Sequence, residues 1–238
     1  MSAHAIHPSM PQTRKRIPPL EPGDHLTREE FENRYDATPG LKKAELIEGV
    51  VYMAPPVRAD IHGYPHADLM ALLGAYRIAT LGVRVSDNSS IRLDLDNEPQ
   101  PDAAMLIESE CGGQSKLTEG YIEGAPELAA EISGSSVSID LNIKFRVYRR
   151  NAVREYLVWR VYDGAIDWFE LQNGQYVPLA IQDGITRSGV FPGLWLNLAA
   201  LIRGDMTTAN SCLQQGLASP EHAQFVLTLQ SRRAASNK

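Results

Sequence analysis

Cysteine is scarce: only Cys111 and Cys212 occur, and neither stands in a CxxC or Cys/His spacing. That argues against a disulfide framework and a structural zinc site, so any metal must be held by oxygen ligands. Long apolar runs are missing too. The longest fall far short of the roughly 20 residues a membrane helix needs, and the N-terminus carries no apolar signal-peptide core. The expectation is a cytoplasmic chain that makes no use of a membrane. Positive charge is also short, with 23 Lys and Arg against 29 Asp and Glu, a formal net charge of −6. This balance argues against a protein that grips nucleic acid by diffuse basic charge, because phosphate neutralisation dominates that kind of affinity. It leaves room for an enzyme with acidic catalytic groups and a local basic stripe, for which Lys144, Arg146, Arg149, Arg150 and Arg154 are the candidates.

What is present is ordinary for a globular protein: 238 residues, 43% hydrophobic and 22% charged, enough for one main core. Residues 1–22 hold Pro8, Pro11, Pro18, Pro19 and Pro22 with the basic run Arg14-Lys15-Arg16, and read as a disordered or draped arm. Residues 23–205 form the expected domain and 206–238 a helical extension. Thr27-Arg28-Glu29-Glu30 reads as a capping box opening a helix through Tyr35. Leu69, Met70, Leu72, Leu73 and Tyr76 recur at helical spacing across 65–80. Strands are expected at 45–53, 82–85, 90–95, 103–107 and 128–133. Asp163-Gly164 and Asn173-Gly174 separate strands at 155–161, 166–171 and 176–180, the signature of an antiparallel meander. Phe191, Trp195 and Leu196 belong to a segment that closes the fold, and Ser219-Pro220 opens a helix running to about Ser231.

Acids are set into the apolar strands: Asp102 opens one and Glu131 lies inside another, Glu127-Leu128-Ala129-Ala130-Glu131-Ile132-Ser133. An unpaired buried carboxylate costs several kcal/mol or gives up its charge. A divalent metal is one partner that removes this penalty. Two carboxylates on adjacent strands suit Mg²⁺, a hard cation that takes oxygen ligands and keeps waters for a substrate phosphate. Such a metal activates water and offsets charge growing on a phosphodiester, while Lys144 supplies further positive charge. The plainer reading is a strand-entry turn at Pro101-Asp102 and a salt-bridged Glu131. Residues 137–148 are ambiguous, since Val137, Ile139, Leu141, Ile143, Phe145 and Val147 alternate as in a strand, yet Leu141, Phe145 and Tyr148 also share a helical stripe.

In their order, Ala44-Glu45-Leu46-Ile47-Glu48-Gly49, Pro101-Asp102, Pro126 to Ser133, Asp140 to Lys144 and Glu155-Tyr156-Leu157-Val158 resemble the Uma-two family of restriction-endonuclease-like proteins, within the PD-(D/E)XK nuclease superfamily. The likeness spans about residues 26–204. It implies an α/β chain with an α+β mixed sheet, a restriction-endonuclease-like core with flanking helices. It implies Asp102 and Glu131 as metal-binding carboxylates, Glu45 as an additional acid, and Mg²⁺ or Mn²⁺ as the cofactor. The superfamily usually places a lysine two positions after the second acid; here that position is Ser133, and Lys144 matches a lysine displaced to the next helix. This favours helix over strand for 137–148.

Of Glu45 and Glu48, three apart on one expected strand, only one can face the site, and the resemblance favours Glu45. His66 resembles a histidine at the start of the family's helix, a candidate for proton transfer or phosphate contact; His62 carries little signal, and Tyr148 reads as a half-buried aromatic. The implied activity is metal-dependent hydrolysis of phosphodiester bonds in DNA, by a homodimer. A non-catalytic nucleic-acid- or protein-binding module that keeps the same fold is the rival.

Overall fold

Thr27 caps α1 (Arg28–Asp36), its Oγ accepting from the Glu30 amide at 3.3 Å, a contact worth about 1 kcal/mol. The computed structural model describes residues 16–41, 43–53 and 58–236. Of the expected arm, 1–15 and with them Arg14 and Lys15 lie outside the described residues. Leu20, at its end, is buried against Phe31, Ala44, Leu46 and Val51.

The strand expected at 45–53 is instead a hairpin, β1 (Ala44–Ile47) and β2 (Val50–Met53), paired antiparallel. Glu48 and Gly49 both take left-handed φ, 51° and 75°, the conformation that lets two residues turn a hairpin. A π-helical turn, Ala59–Gly63, leads into α2 (Tyr64–Ala79), whose Leu69, Leu72, Leu73 and Tyr76 are buried as the spacing predicts.

Next come β3 (Val83–Asp87), β4 (Ile91–Arg92) and β5 (Ala103–Ile107). The run expected at 90–95 shortens to β4 because Asp94 accepts the Asp96 amide and Asn97 Nδ2, at 2.9 and 2.7 Å, and bends the chain back. β6 (Lys116–Thr118) and β7 (Tyr121–Glu123) join β4 in a small sheet. β8 (Leu128–Ser133) is buried at all six positions. A second π-helical turn, Ile139–Lys144, then runs into α3 (Phe145–Arg150), so 137–148 is helical despite its alternating pattern. The meander follows as β9 (Glu155–Arg160), β10 (Ala165–Gln172) and β11 (Gln175–Pro178).

The main sheet has the order β11-β10-β9-β8-β5-β3, antiparallel throughout except for the parallel pair β8 and β9. A parallel neighbour needs a crossover connection, and the one from β8 to β9 carries α3. A last small sheet, β12 (Ile181–Gln182), β13 (Ile185–Arg187) and β14 (Trp195–Leu196), precedes α4 (Leu198–Ile202), α5 (Met206–Leu217) and α6 (Pro220–Ser236). α6 starts where Ser219-Pro220 predicts, with Ser219 Oγ accepting the His222 amide at 3.2 Å.

Strand alternation then sorts the side chains of β8. Leu128, Ala130 and Ile132 join the larger core with α2, Phe191, Leu201, Leu213 and Leu229. Ala129 faces the other way, into an aromatic cluster of Tyr148, Tyr156 and Tyr176 beneath α3. Glu131 and Ser133 share that second face, which fixes where a site can form.

Candidate active site

The register that pairs Ala103 with Ala130 and Ala104 with Ala129 continues to set Asp102 across from Glu131. Residues directly opposite share a face, and the Ile132 amide donates to Asp102 Oδ2 at 2.8 Å. Both carboxylates are buried, as are Glu45 on β1 and Asp140 in the second π-helical turn.

Lys144 joins three of these acids. Its Nζ lies 2.8 Å from Glu45 Oε1, 3.0 Å from Glu131 Oε1 and 3.8 Å from Asp140 Oδ1, with its side chain only 5% exposed. The backbone makes this reach possible. Asp140 accepts hydrogen bonds from Ser133 and Ser136, and Tyr156 donates its hydroxyl to the Asp140 carbonyl at 3.0 Å. Those contacts pin the wide turn to the end of β8, and Lys144 stands at its exit. Tyr148, one turn further on, donates its hydroxyl to Glu131 Oε1 at 3.0 Å. Glu45 is fixed from its own side by the Gln100 amide, 2.7 Å from Oε1.

Burial drives the Glu131 carboxyl upward, and the negative charges of Asp140, Asp102 and Glu45 add to the effect against the pull of Lys144. Burial alone would depress the Lys144 ammonium, but Glu131, Glu45 and Asp140 raise it well above its ordinary value. One ammonium thus stays charged against the carboxyl groups of Glu131, Glu45 and Asp140.

Asp102 has a different environment. Lys43 Nζ donates to Oδ1 at 2.9 Å, and His62 Nε2 lies 3.1 Å from Oδ2. Burial opposes ionisation, yet the His62 contact, the Lys43 charge and the Ile132 amide hold Asp102 well below the usual carboxylate range. His66 Nε2 is 2.9 Å from the Asp102 carbonyl and 3.2 Å from Asp87 Oδ1. Glu48 sits apart in the hairpin turn, paired with Arg146 and Arg150 at 3.4 and 3.0 Å. The basic stripe therefore divides: Lys144 points inward, Arg146 and Arg150 meet Glu48, Arg149 donates to Gln175 and Arg154 to Gln114.

The family model described as "Uma2: Putative restriction endonuclease" matches residues 28–199. The chain belongs to the Uma2 family. No curated protein matches it. Among solved structures, a nuclease described as putative and belonging to DUF820, from Anabaena variabilis ATCC 29413, is similar. It has a TM-score of 0.55 at 14% identity, over 71% of this chain and 97% of that one, a likeness of fold.

In this Uma2 chain the four residues singled out from the sequence, Glu45, Asp102, Glu131 and Lys144, converge on one end of β8. Three of the four offer carboxylate oxygens, the donor type that a hard cation such as Mg²⁺ or Mn²⁺ takes. Among the described residues no group of three or more Asp, Glu, His or Cys side chains is arranged to hold a metal ion; ammonium groups engage the carboxylates instead. Lys43 escaped sequence reasoning, and His62, read as carrying little signal, in fact contacts Asp102. For Lys43 a signal existed, since it stands two residues before Glu45 and so leaves the chain on the same side. His62 lies in a π-helical turn, where no periodic pattern marks it.

Proposed function

We propose that this Uma2 protein is a Mg²⁺- or Mn²⁺-dependent endonuclease that hydrolyses phosphodiester bonds in DNA. The observation that carries the reading is Lys144 Nζ bound to both Glu131 and Glu45 from a helical turn, in a chain whose Ser133 takes the place of the usual lysine. Asp102, Glu131 and Glu45 would hold the metal. The metal, when bound, supplies Lewis-acid stabilisation of the phosphate and a more acidic water.

The protein's own residues do the rest. Lys144, fixed by carboxylates on two strands, positions the attacking water and offsets negative charge on the phosphate. Tyr148 keeps the Glu131 carboxylate from rotating away. His66, half-buried and anchored to the Asp102 carbonyl, stands ready to contact a phosphate at the mouth of the site. A homodimer gives each DNA strand its own cutting centre.

Incubating the purified protein with supercoiled plasmid and Mg²⁺ or Mn²⁺ tests the proposal, with Glu131→Gln and Lys144→Met compared after circular dichroism confirms their folding. Nicked and linear DNA from the wild type and none from the variants is the expected result. Absence of cleavage of any DNA, or equal cleavage by Glu131→Gln, overturns it. The lysine-filled acid pocket favours a second reading, a binding module without catalysis. Calorimetry separates the two, because a module of that kind has no need to take up Mn²⁺. Sedimentation velocity at micromolar concentration tests the dimer.

A further inference from the structure

The two lysines at the acid pocket are held very differently. Lys144 touches three carboxylates, is 5% exposed and is committed by its helical turn. Lys43 precedes β1, its side chain is 21% exposed, and its Nζ has one carboxylate oxygen, Asp102 Oδ1 at 2.9 Å, and one amide oxygen, Asn88 Oδ1 at 3.3 Å. Releasing it costs fewer contacts, and a long side chain regains rotamer freedom when it leaves. Asp102 Oδ2 is already engaged by the Ile132 amide and by His62. Oδ1 is therefore the oxygen a cation would claim, and Lys43 sits on it.

We infer that Lys43 is a built-in counter-ion: its ammonium seats on Asp102 when no metal is bound and yields that oxygen to an incoming divalent cation. Metal uptake is then a competition with this side chain. The inference rests on the proposed metal-dependent reading and adds to it what sets the affinity. Filling Asp102 with Lys43 also keeps a buried carboxylate compensated in the metal-free protein, which an open cage of acids would not achieve.

Calorimetric titration of the full chain with MnCl₂ tests the inference. It compares the wild type, Lys43→Met and Lys116→Met, the last a control for net charge at a lysine 67% exposed and 3.7 Å from Glu123. Lys43→Met should bind Mn²⁺ at least tenfold more tightly than the wild type, with Lys116→Met within twofold of it. Without metal, Lys43→Met should melt below the wild type and gain more in melting temperature when Mn²⁺ is added. Lys43→Gln serves should the methionine variant not fold. Affinity of Lys43→Met within twofold of the wild type or weaker, or equal tightening in Lys116→Met, overturns the inference. Mn²⁺ uptake by Lys43→Met alone supports it while removing the metal-dependent function of the wild type; uptake by neither protein removes both.

Discussion

Ser133, at the end of β8, donates its hydroxyl to the buried carboxylate of Asp140. The serine thus contributes to the site through the turn that brings Lys144 within reach. Ser133→Ala removes one of the two hydroxyl donors on that carboxylate, and an under-satisfied buried acceptor costs about 1 to 3 kcal/mol. Urea denaturation should show that loss. Cleavage should fall as well, because Lys144 loses its anchored turn.

Tyr148→Phe removes the hydroxyl bonded to Glu131 while leaving the ring in the aromatic cluster. A loss of roughly 1 to 2 kcal/mol is expected, read as a lower urea midpoint with an unchanged slope. A variant as stable as the wild type would show that the hydroxyl contributes nothing to holding Glu131.

Glu155 offers a pH test away from the site. It accepts from Ser188 Oγ, the Gly189 and Val190 amides and Trp168 Nε1, yet burial outweighs these donors and pushes its carboxyl up to about 7 from 4.5. The folded state therefore keeps a proton that the unfolded state has released. Stability falls as pH rises through the window from 4.5 to about 7, by up to roughly 3 kcal/mol at 1.36 kcal/mol per unit. Glu155→Gln should flatten this part of the profile, measured as the difference from wild type in denaturation free energy at pH 5 and pH 7.5.

Glu45→Gln and Glu48→Gln should behave as opposites although the two acids are three residues apart. Glu48 pairs with arginines at a half-exposed turn, so its loss costs under about 1 kcal/mol and leaves cleavage intact. Glu45 faces Lys144 in the pocket, and its substitution should abolish cleavage. A plasmid-nicking assay with both variants decides between them.

Gly113→Ala should destabilise the fold strongly. A Cβ there would fall 1.8 Å from the Ile107 carbonyl oxygen, and relieving it means moving the end of β5 away from the neighbouring loop. A cost of at least about 1 to 3 kcal/mol follows from such overpacking, visible as a lower melting temperature.

The parts of this architecture with a regular period were legible in the sequence. Buried leucines at helical spacing marked α2, alternating and continuous apolar runs marked β5 and β8, and Asp-Gly and Asn-Gly placed the turns of the meander. Asp102 and Glu131 stood out because charge in an apolar strand is costly. The hairpin at Glu48-Gly49 was hidden because the apolar residues on both sides read as one continuous strand. At 137–148 the alternation pointed to a strand, and contacts across the chain, Ser133 and Tyr156 on Asp140 and Tyr148 in its aromatic cluster, won over it. Lys43 stands two residues before Glu45, which gives its side of the chain but not its partner. Only the fold reveals that its ammonium ends on Asp102.

The single parallel pair in the main sheet has a consequence for the order of assembly. β9, β10 and β11 close through short turns and can zip locally, whereas β8 meets β9 only after the whole segment between Ser133 and Glu155 has found its place. Loop closure of that kind is slow relative to hairpin formation. Lys144 lies on this segment, so the same crossover that lets β8 and β9 run parallel also carries the ammonium that Glu131 and Glu45 share.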